Sequence, residues 1–327
     1  MERKIHYQDL LDYALRAQSA YFLSELGWTL STQLGWHRPQ RHLLIQEVPV
    51  SEVNVVLEVD DEHRRQWIAV RGSSNLRNWL LNLRYTQRQC PPQRDRPWPG
   101  SPLGKNHALA DPCGNVDLHQ GFRQAATEVF HALAPHLRAN YQIRLTGHSL
   151  GGAIAAILML FLAEKGFSVE QCVTFGQPKI TDPAGAQDLA DRPLIRVIHD
   201  DDIVPHLPPT SPFTRWQGGY AHFGQEILLH DSEQVGNTLI QTWKPPIRPA
   251  QGLWASLQRS LFRRNIREIH EHVEDHSLHH YIHSLVKTLA ARQQLSPAQR
   301  PLLKTLALGT ALPFLPEETL APGFANA

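Results

Sequence analysis

Two spacings of apolar residues alternate along this chain. Leu10, Leu11, Tyr13 and Ala14 recur at helical spacing near the N-terminus and predict an amphipathic helix over about residues 7–26. Residues 53–59 and 66–70 are short, aliphatic runs on either side of a charged turn, which predicts a hairpin. A helix is expected over about 121–138, then the strand Tyr141-Gln142-Ile143-Arg144-Leu145-Thr146, then a helix of small and aliphatic residues from Ala153. Residues 169–175 and 194–198 are apolar runs of strand length around a short helix near Ala184, and residues 220–229 predict one more strand. Continuous apolar strands that alternate with helices imply a mostly parallel central sheet with helices on both faces.

The junction between the strand ending at Thr146 and the helix from Ala153 is Gly147-His148-Ser149-Leu150-Gly151-Gly152. Taken alone, G-x-S-x-G also describes an ordinary glycine-rich turn. Strand, elbow and helix in that order are what a nucleophile elbow requires, and so point to the α/β-hydrolase fold. The turn is strained, and glycine serves where the backbone takes positive φ or comes close to a neighbouring element. Ser149 then stands at the tip, with the N–H groups of the next helix aimed at the reacting centre. The backbone N–H of Leu150, the residue after the serine, is expected to be one oxyanion donor.

A serine nucleophile needs a histidine base and an acid that orients it. In this fold the acid and then the histidine follow the serine along the chain. The run 194–198 leads into His199-Asp200-Asp201-Asp202-Ile203-Val204-Pro205, which puts carboxylates just past the C-terminal end of a strand, where sites of α/β sheets form. Much later Asp275-His276-Ser277-Leu278 opens a helical pattern in which His279 and His280 follow closely.

Several separated segments make the chain resemble the class 3 lipases, the family of the filamentous-fungal triacylglycerol lipases and their bacterial and plant relatives. Ile68-Ala69-Val70-Arg71-Gly72-Ser73-Ser74-Asn75-Leu76-Arg77-Asn78-Trp79 is similar to that family's strand, oxyanion loop and lid opening. His119-Gln120-Gly121-Phe122 resembles its H-x-G-F segment, and Val173-Thr174-Phe175-Gly176-Gln177-Pro178 the strand after the elbow. Asp202-Ile203-Val204-Pro205-His206-Leu207-Pro208-Pro209 is similar to its D-I-V-P-x-L-P-P signature. Together these span about residues 10–285. Thr181 stands where the family often has glycine before the residue matched by Asp182, and the histidine segment is the loosest part of the match.

The resemblance implies Ser149, Asp202 and His276 as the catalytic triad, with His276 preferred over His279 and His280. His148 reads as a packing or supporting residue. The resemblance puts the second oxyanion donor at Ser73 and a lid over the residues that follow. There Leu76, Trp79, Leu80 and Leu83 form an apolar stripe at helical spacing. The competing reading of that stripe is a short amphipathic helix fixed on the core.

The implied activity is a serine carboxylic-ester hydrolase with an acyl-enzyme intermediate, acting on lipid esters and first on acylglycerols. A phospholipase A or lysophospholipase is the alternative among enzymes, and a catalytically silent lipase-like binding protein the alternative outside them. The division expected is a hydrolase domain over 1–285 and a helical C-terminal extension over 286–327.

Charge and composition narrow the partners. A formal net charge of +1 gives no case for nucleic acid. No apolar run reaches membrane-spanning length. The start of the sequence lacks a secretory pattern, so cytoplasmic residence is the expectation, with signal-independent secretion or peripheral membrane association as the alternatives. Residues 251–274 intersperse Leu253, Trp254, Leu257, Leu261 and Phe262 with arginines, a pattern that suits a helix packed on the domain or one lying on a membrane or lipid-droplet surface. Of three cysteines, Cys172 reads as a buried thiol, while Cys90 and Cys113 flank a Pro- and Arg-rich loop. A disulfide across that loop runs against a reducing cytosol. The histidines of 270–283 invite a metal, with His276, His280 and His283 on one helical face. Yet His270-Glu271-His272-Val273-Glu274 lacks the second histidine of H-E-x-x-H. No metal and no cofactor are expected.

Overall fold

The computed structural model describes residues 5–22, 41–48, 53–72, 116, 118–199, 202–208, 219–229, 276–292 and 294. The elements in chain order are α1 (Tyr7–Phe22), β1 (Arg41–Val48), β2 (Val53–Asp60), β3 (Arg65–Val70), α2 (Gln120–Leu133), β4 (Gln142–His148), α3 (Leu150–Glu164), β5 (Ser168–Phe175), α4 (Pro183–Asp188), β6 (Leu194–His199), β7 (Gln225–Leu229) and α5 (Leu278–Ala291). The strands form one seven-stranded sheet in sequence order. β1, β2 and β3 pair antiparallel, and every pairing from β3 to β7 is parallel. This is the α/β-hydrolase architecture that the elbow and the strand runs predict.

The two faces of the sheet carry two cores. On one, α2 and α3 cover Val55, Leu57, Ile68, Val70, Ile143 and Leu145. Every residue of α3 from Gly151 to Leu162 is buried, which is why it reads as small and aliphatic all round. On the other face, α1 and α5 pack over Trp67, Val173, Phe175, Ile195, Val197 and Ile227. Alternate residues of one strand serve the two faces, as the two-residue period of a strand demands.

α1 is anchored by polar groups as well as by Leu10, Leu11, Ala14 and Leu15. The buried Arg16 guanidinium donates from Nε to Glu58 in β2 at 2.7 Å, bonds Asp12, and lies 3.9 Å above the Trp67 ring. Thr146 in β4 donates its hydroxyl to Tyr13 O at 3.1 Å. A buried ion pair broken on one side leaves an uncompensated charge, so these contacts fix where α1 can sit.

The element bounds differ from the expected ones for identifiable reasons. α2 stops at Leu133 because Pro135 lacks an N–H, and the chain continues as a 3-10 turn over Ala134–His136. α3 begins at Leu150, ahead of Ala153, because Gly151 and Gly152 are helical. β7 is shorter than the run 220–229, with Ala221 instead bridging Thr181. β1 had no counterpart in the apolar pattern. α5 runs unbroken through 285 and 286, and Val286 and Leu289 are buried beside α1. Through Ala291, then, the chain belongs to the same packed unit as the sheet, and the remainder of the 286–327 extension lies almost wholly outside the described residues. Among the described residues no helix is long and apolar enough to cross a membrane.

Candidate active site

The C-terminal ends of β4, β5 and β6 meet at one edge, and Ser149, Asp202 and His276 gather there. Val70 registers with Gly147, and His148 with Phe175, so the elbow lies between β3 and β5. Ser149 donates its N–H to Phe175 O at 2.9 Å and has φ 58° and ψ −128°. Positive φ in a residue with a Cβ costs of order 1–3 kcal/mol and persists only where the surroundings impose it. Here the imposing contacts are tight. A Cβ on Gly147 would lie 2.3 Å from Gly151 O, and one on Gly151 would lie 2.3 Å from Val70 O. These glycines therefore serve close approach, while the left-handed conformation falls on the serine itself.

Leu150 opens α3, and the leading N–H groups of a helix have no intrahelical acceptor. Its N–H is therefore available beside Ser149. Ser73, the other expected oxyanion donor, and Leu76, Trp79 and Leu80 of the expected lid lie outside the described residues. So do Cys90, Cys113 and residues 251–274. Cys172 is a buried free thiol.

Asp202 follows β6 and His276 directly precedes the N-cap of α5. They are 74 positions apart in sequence, yet His276 Nδ1 is 2.7 Å from Asp202 Oδ2, with both side chains fully buried. The same Oδ2 accepts the Tyr281 hydroxyl, and Oδ1 accepts the Val204 N–H at 2.8 Å. Burial pushes the Asp202 carboxyl up. The facing His276 charge and the bonds from His276, Tyr281 and Val204 outweigh that and hold it below the usual carboxylate range. Tyr281 stands opposite: burial first, then the Asp202 charge, raises its phenol well above the ordinary value, so it stays a donor.

Gly176, the residue after β5, has φ 57°, and a Cβ there would lie 2.7 Å from both Asp202 Oδ2 and His276 Cε1. It forms the wall against which the pair is set. Of the buried polar side-chain atoms of Ser149, Asp202 and His276, two have no hydrogen-bond partner among the described residues, Ser149 Oγ and His276 Nε2. They are the two atoms between which a proton must pass in a serine mechanism.

Of the competing residues, His279 and His280 sit on the first turn of α5, away from Asp202. Their ring contacts are with each other, His199 and His283. Asp200 and Asp201 lie outside the described residues. Among the described residues no group of three or more His, Cys, Asp or Glu is arranged to hold a metal ion. His119 stacks on Phe122 at 4.1 Å between ring centroids and donates its backbone N–H to Ile180 O. The H-x-G-F segment is thereby tied to the chain that follows β5, where Leu118 also bridges Thr181.

The sequence drew attention to neither Gly176 as a wall nor Tyr21. Tyr21, at the end of α1, places its hydroxyl 2.8 Å from His148 Nδ1. The signal for Tyr281 was its place on the first full turn after His276, which sets it on the face of α5 that meets the sheet.

Several imidazoles are held neutral, with a consequence for stability. Burial, then the His276 charge, lowers His148 from 6.5 to about 3, and burial lowers His119 to about 4. Burial, then Arg196 and Lys179, lowers His222 well below its ordinary value. Between the folded and unfolded values the unfolded chain binds the proton, so acid favours unfolding. The stability these groups allow is complete above about pH 6.5 and is lost as pH falls towards 4, at about 1.4 kcal/mol per pH unit for each proton of difference. Asp202 acts in the same direction below its ordinary 3.8. The urea midpoint should fall steeply between pH 7 and pH 4.5. A midpoint that stays level would show these imidazoles titrating as in the unfolded chain.

A strained serine elbow, a buried Asp–His pair and a mostly parallel sheet define a protein of the α/β-hydrolase type. Residues 67–211 match the model of the lipase (class 3) family. It is 29% identical over 195 residues to a lipase of Rhizomucor miehei, covering 56% of this chain and 47% of that protein. It is 30% identical over 185 residues to a secreted mono- and diacylglycerol lipase of Fusarium solani, covering 54% and 47%. The chain thus spans about half the length of these relatives. The solved structure of the Rhizomucor miehei triacylglyceride lipase superposes with a TM-score of 0.49 at 24% identity, over 69% of this chain and 82% of that one.

Proposed function

We propose that this protein is a serine carboxylic-ester hydrolase acting on acylglycerols, with Ser149 as nucleophile, His276 as general base and acid, and Asp202 as the orienting carboxylate. The observation that carries this is the Asp202–His276 pair, beside which His276 Nε2 and Ser149 Oγ are buried without hydrogen-bond partners among the described residues. Asp202 accepts from Nδ1–H, which fixes the neutral tautomer with a lone pair on Nε2. Nε2 takes the Ser149 proton as Oγ attacks the ester carbonyl, and the oxyanion is met by the Leu150 N–H and, from the family resemblance, by Ser73. The imidazolium, stabilised by Asp202, then protonates the leaving alcohol. Water attacks the acyl-enzyme through the same base, releasing the fatty acid and restoring Ser149.

The preference for acylglycerols is supported by the relatives, which are named as lipases or mono- and diacylglycerol lipases. Contact with a lipid surface through the segment around Leu76, Trp79 and Leu80 belongs to the same proposal. The test is release of fatty acid from a soluble short-chain ester, emulsified triacylglycerol and emulsified diacylglycerol, alongside labelling of Ser149 by an alkyl phosphonate. Turnover with labelling at Ser149 is expected. Release from phosphatidylcholine alone would move the substrate to phospholipids. Silence on every ester without labelling would overturn the hydrolase reading.

A further inference from the structure

We propose that Tyr21 and His148 form a hydrogen-bonded bridge that positions His276 through its main chain and ties it to the end of β3, where the expected oxyanion loop begins. This rests on the proposed role of His276 as the base. His148 Nε2 lies 2.7 Å from the His276 carbonyl oxygen, and Tyr21 Oη lies 2.8 Å from His148 Nδ1. The Gly72 N–H in turn donates to the Tyr21 hydroxyl oxygen.

The protons along this bridge follow from the chemistry of the groups. A carbonyl only accepts, so His148 carries its hydrogen on Nε2. Its buried ring is neutral at working pH, which makes Nδ1 an acceptor and Tyr21 the donor to it. The Tyr21 oxygen then has a lone pair left for the Gly72 N–H. Each bond sets the direction of the next, and one chain runs from Gly72 through Tyr21 and His148 to His276.

Sterics hold the same path closed. A Cβ on Gly72 would lie 2.1 Å from Tyr21 Oη and 2.6 Å from His148 O. The His148 ring lies against that of His276, with centroids 4.5 Å apart and planes at 31°. Thr146 and His148 are two residues apart and so share a face of β4. Both bond α1, at Tyr13 and Tyr21, which makes α1 the scaffold of the bridge.

The need for such a bridge comes from the position of His276. It precedes the N-cap Ser277 and so lies outside α5. Asp202 and Tyr281 fix its ring from the Nδ1 side, and a single hydrogen bond leaves the ring free to pivot about that contact. His148 supplies the second point by fixing the backbone. Tyr21 and His148 touch neither reacting atom in this scheme and act as positioning residues.

The test is kinetics on a soluble ester with Tyr21→Phe, His148→Leu, His148→Gln and the Tyr21→Phe/His148→Leu double variant. Each is checked for folding by near-UV circular dichroism. Loss of the positioned base should lower kcat about tenfold in Tyr21→Phe and about 100-fold in His148→Leu, with KM within about twofold. His148→Gln, which keeps a donor for the His276 carbonyl, should recover most of the loss, and the double variant should be no slower than His148→Leu. The downfield His276 Nδ1–H proton resonance should shift in Tyr21→Phe, although Tyr21 does not touch His276. That signal also decides the bridge if His148→Leu fails to fold. Unchanged kcat with an unchanged resonance, or losses that multiply in the double variant, would overturn the bridge. A wild type that is inert and unlabelled by phosphonate overturns the hydrolase reading instead, and the resonance then still reports whether the bridge exists.

Discussion

Replacing Ser149 by glycine will abolish ester turnover and at the same time make the protein more stable. The loss of activity follows from removing the proposed nucleophile. In a serine mechanism the remaining oxyanion donors and binding contacts do little without the attacking oxygen, and the expected fall in kcat is about 10⁴-fold or more. The gain in stability has two sources. Ser149 holds φ 58° with a Cβ, a conformation glycine adopts without penalty. Its Oγ is also buried with no partner among the described residues, so deletion removes a polar group whose burial costs about 1–3 kcal/mol. The greater backbone freedom of glycine in the unfolded chain offsets about 0.5–1 kcal/mol of this. A net rise of about 1–2 kcal/mol in unfolding free energy should appear in urea titrations. Ser149→Ala should be equally inactive but gain less, because alanine keeps the strained backbone. A glycine variant less stable than wild type would mean that the elbow imposes no strain.

Asp202→Asn should cost about 10⁴-fold in kcat, an effect of the size seen when the acid of a serine triad becomes an amide. The carboxylate accepts from three donors: His276 Nδ1–H, the Tyr281 hydroxyl and the Val204 N–H. An amide has one acceptor oxygen. With its NH₂ turned to His276, the imidazole must move its hydrogen to Nε2, the atom that has to accept from Ser149. With its oxygen turned to His276, the NH₂ meets Val204 N–H, donor against donor. Either arrangement removes the charge that stabilises the imidazolium. Ester kinetics at neutral pH, together with nitrogen NMR of the His276 tautomer, would check both parts. A kcat within tenfold of wild type would remove Asp202 from the mechanism.

The strands and helices that carry the site were legible because burial on two faces leaves a strong pattern. β6 and the buried C-terminal halves of β3 and β5 are mostly apolar, and α3 is apolar on every side, as a helix enclosed by a sheet and another helix must be. β1 was missed because Arg41, His42, Gln46 and Glu47 interrupt its aliphatic residues, and an edge strand needs no uniform run. The start of α3 was misplaced because consecutive glycines read as a turn. Their function is to let the helix pass the end of β3, a contact that exists only once the sheet is formed.

Local order in the sequence determined the elbow, the strand ends where carboxylates cluster, and the covalent order of serine, acid and histidine. Those features are short-range, because backbone geometry and strand periodicity act over a few residues. Tertiary structure alone decided which groups meet. It chose His276 over its neighbours by setting it, and not His279 or His280, against Asp202, with Gly176 behind both. It brought Tyr281 to the carboxylate from one helix and Tyr21 to His148 from another, 127 positions away. Those contacts depend on how α1 and α5 pack together over one face of the sheet. That packing is a sum of many small burial terms, and no motif of neighbouring residues encodes it.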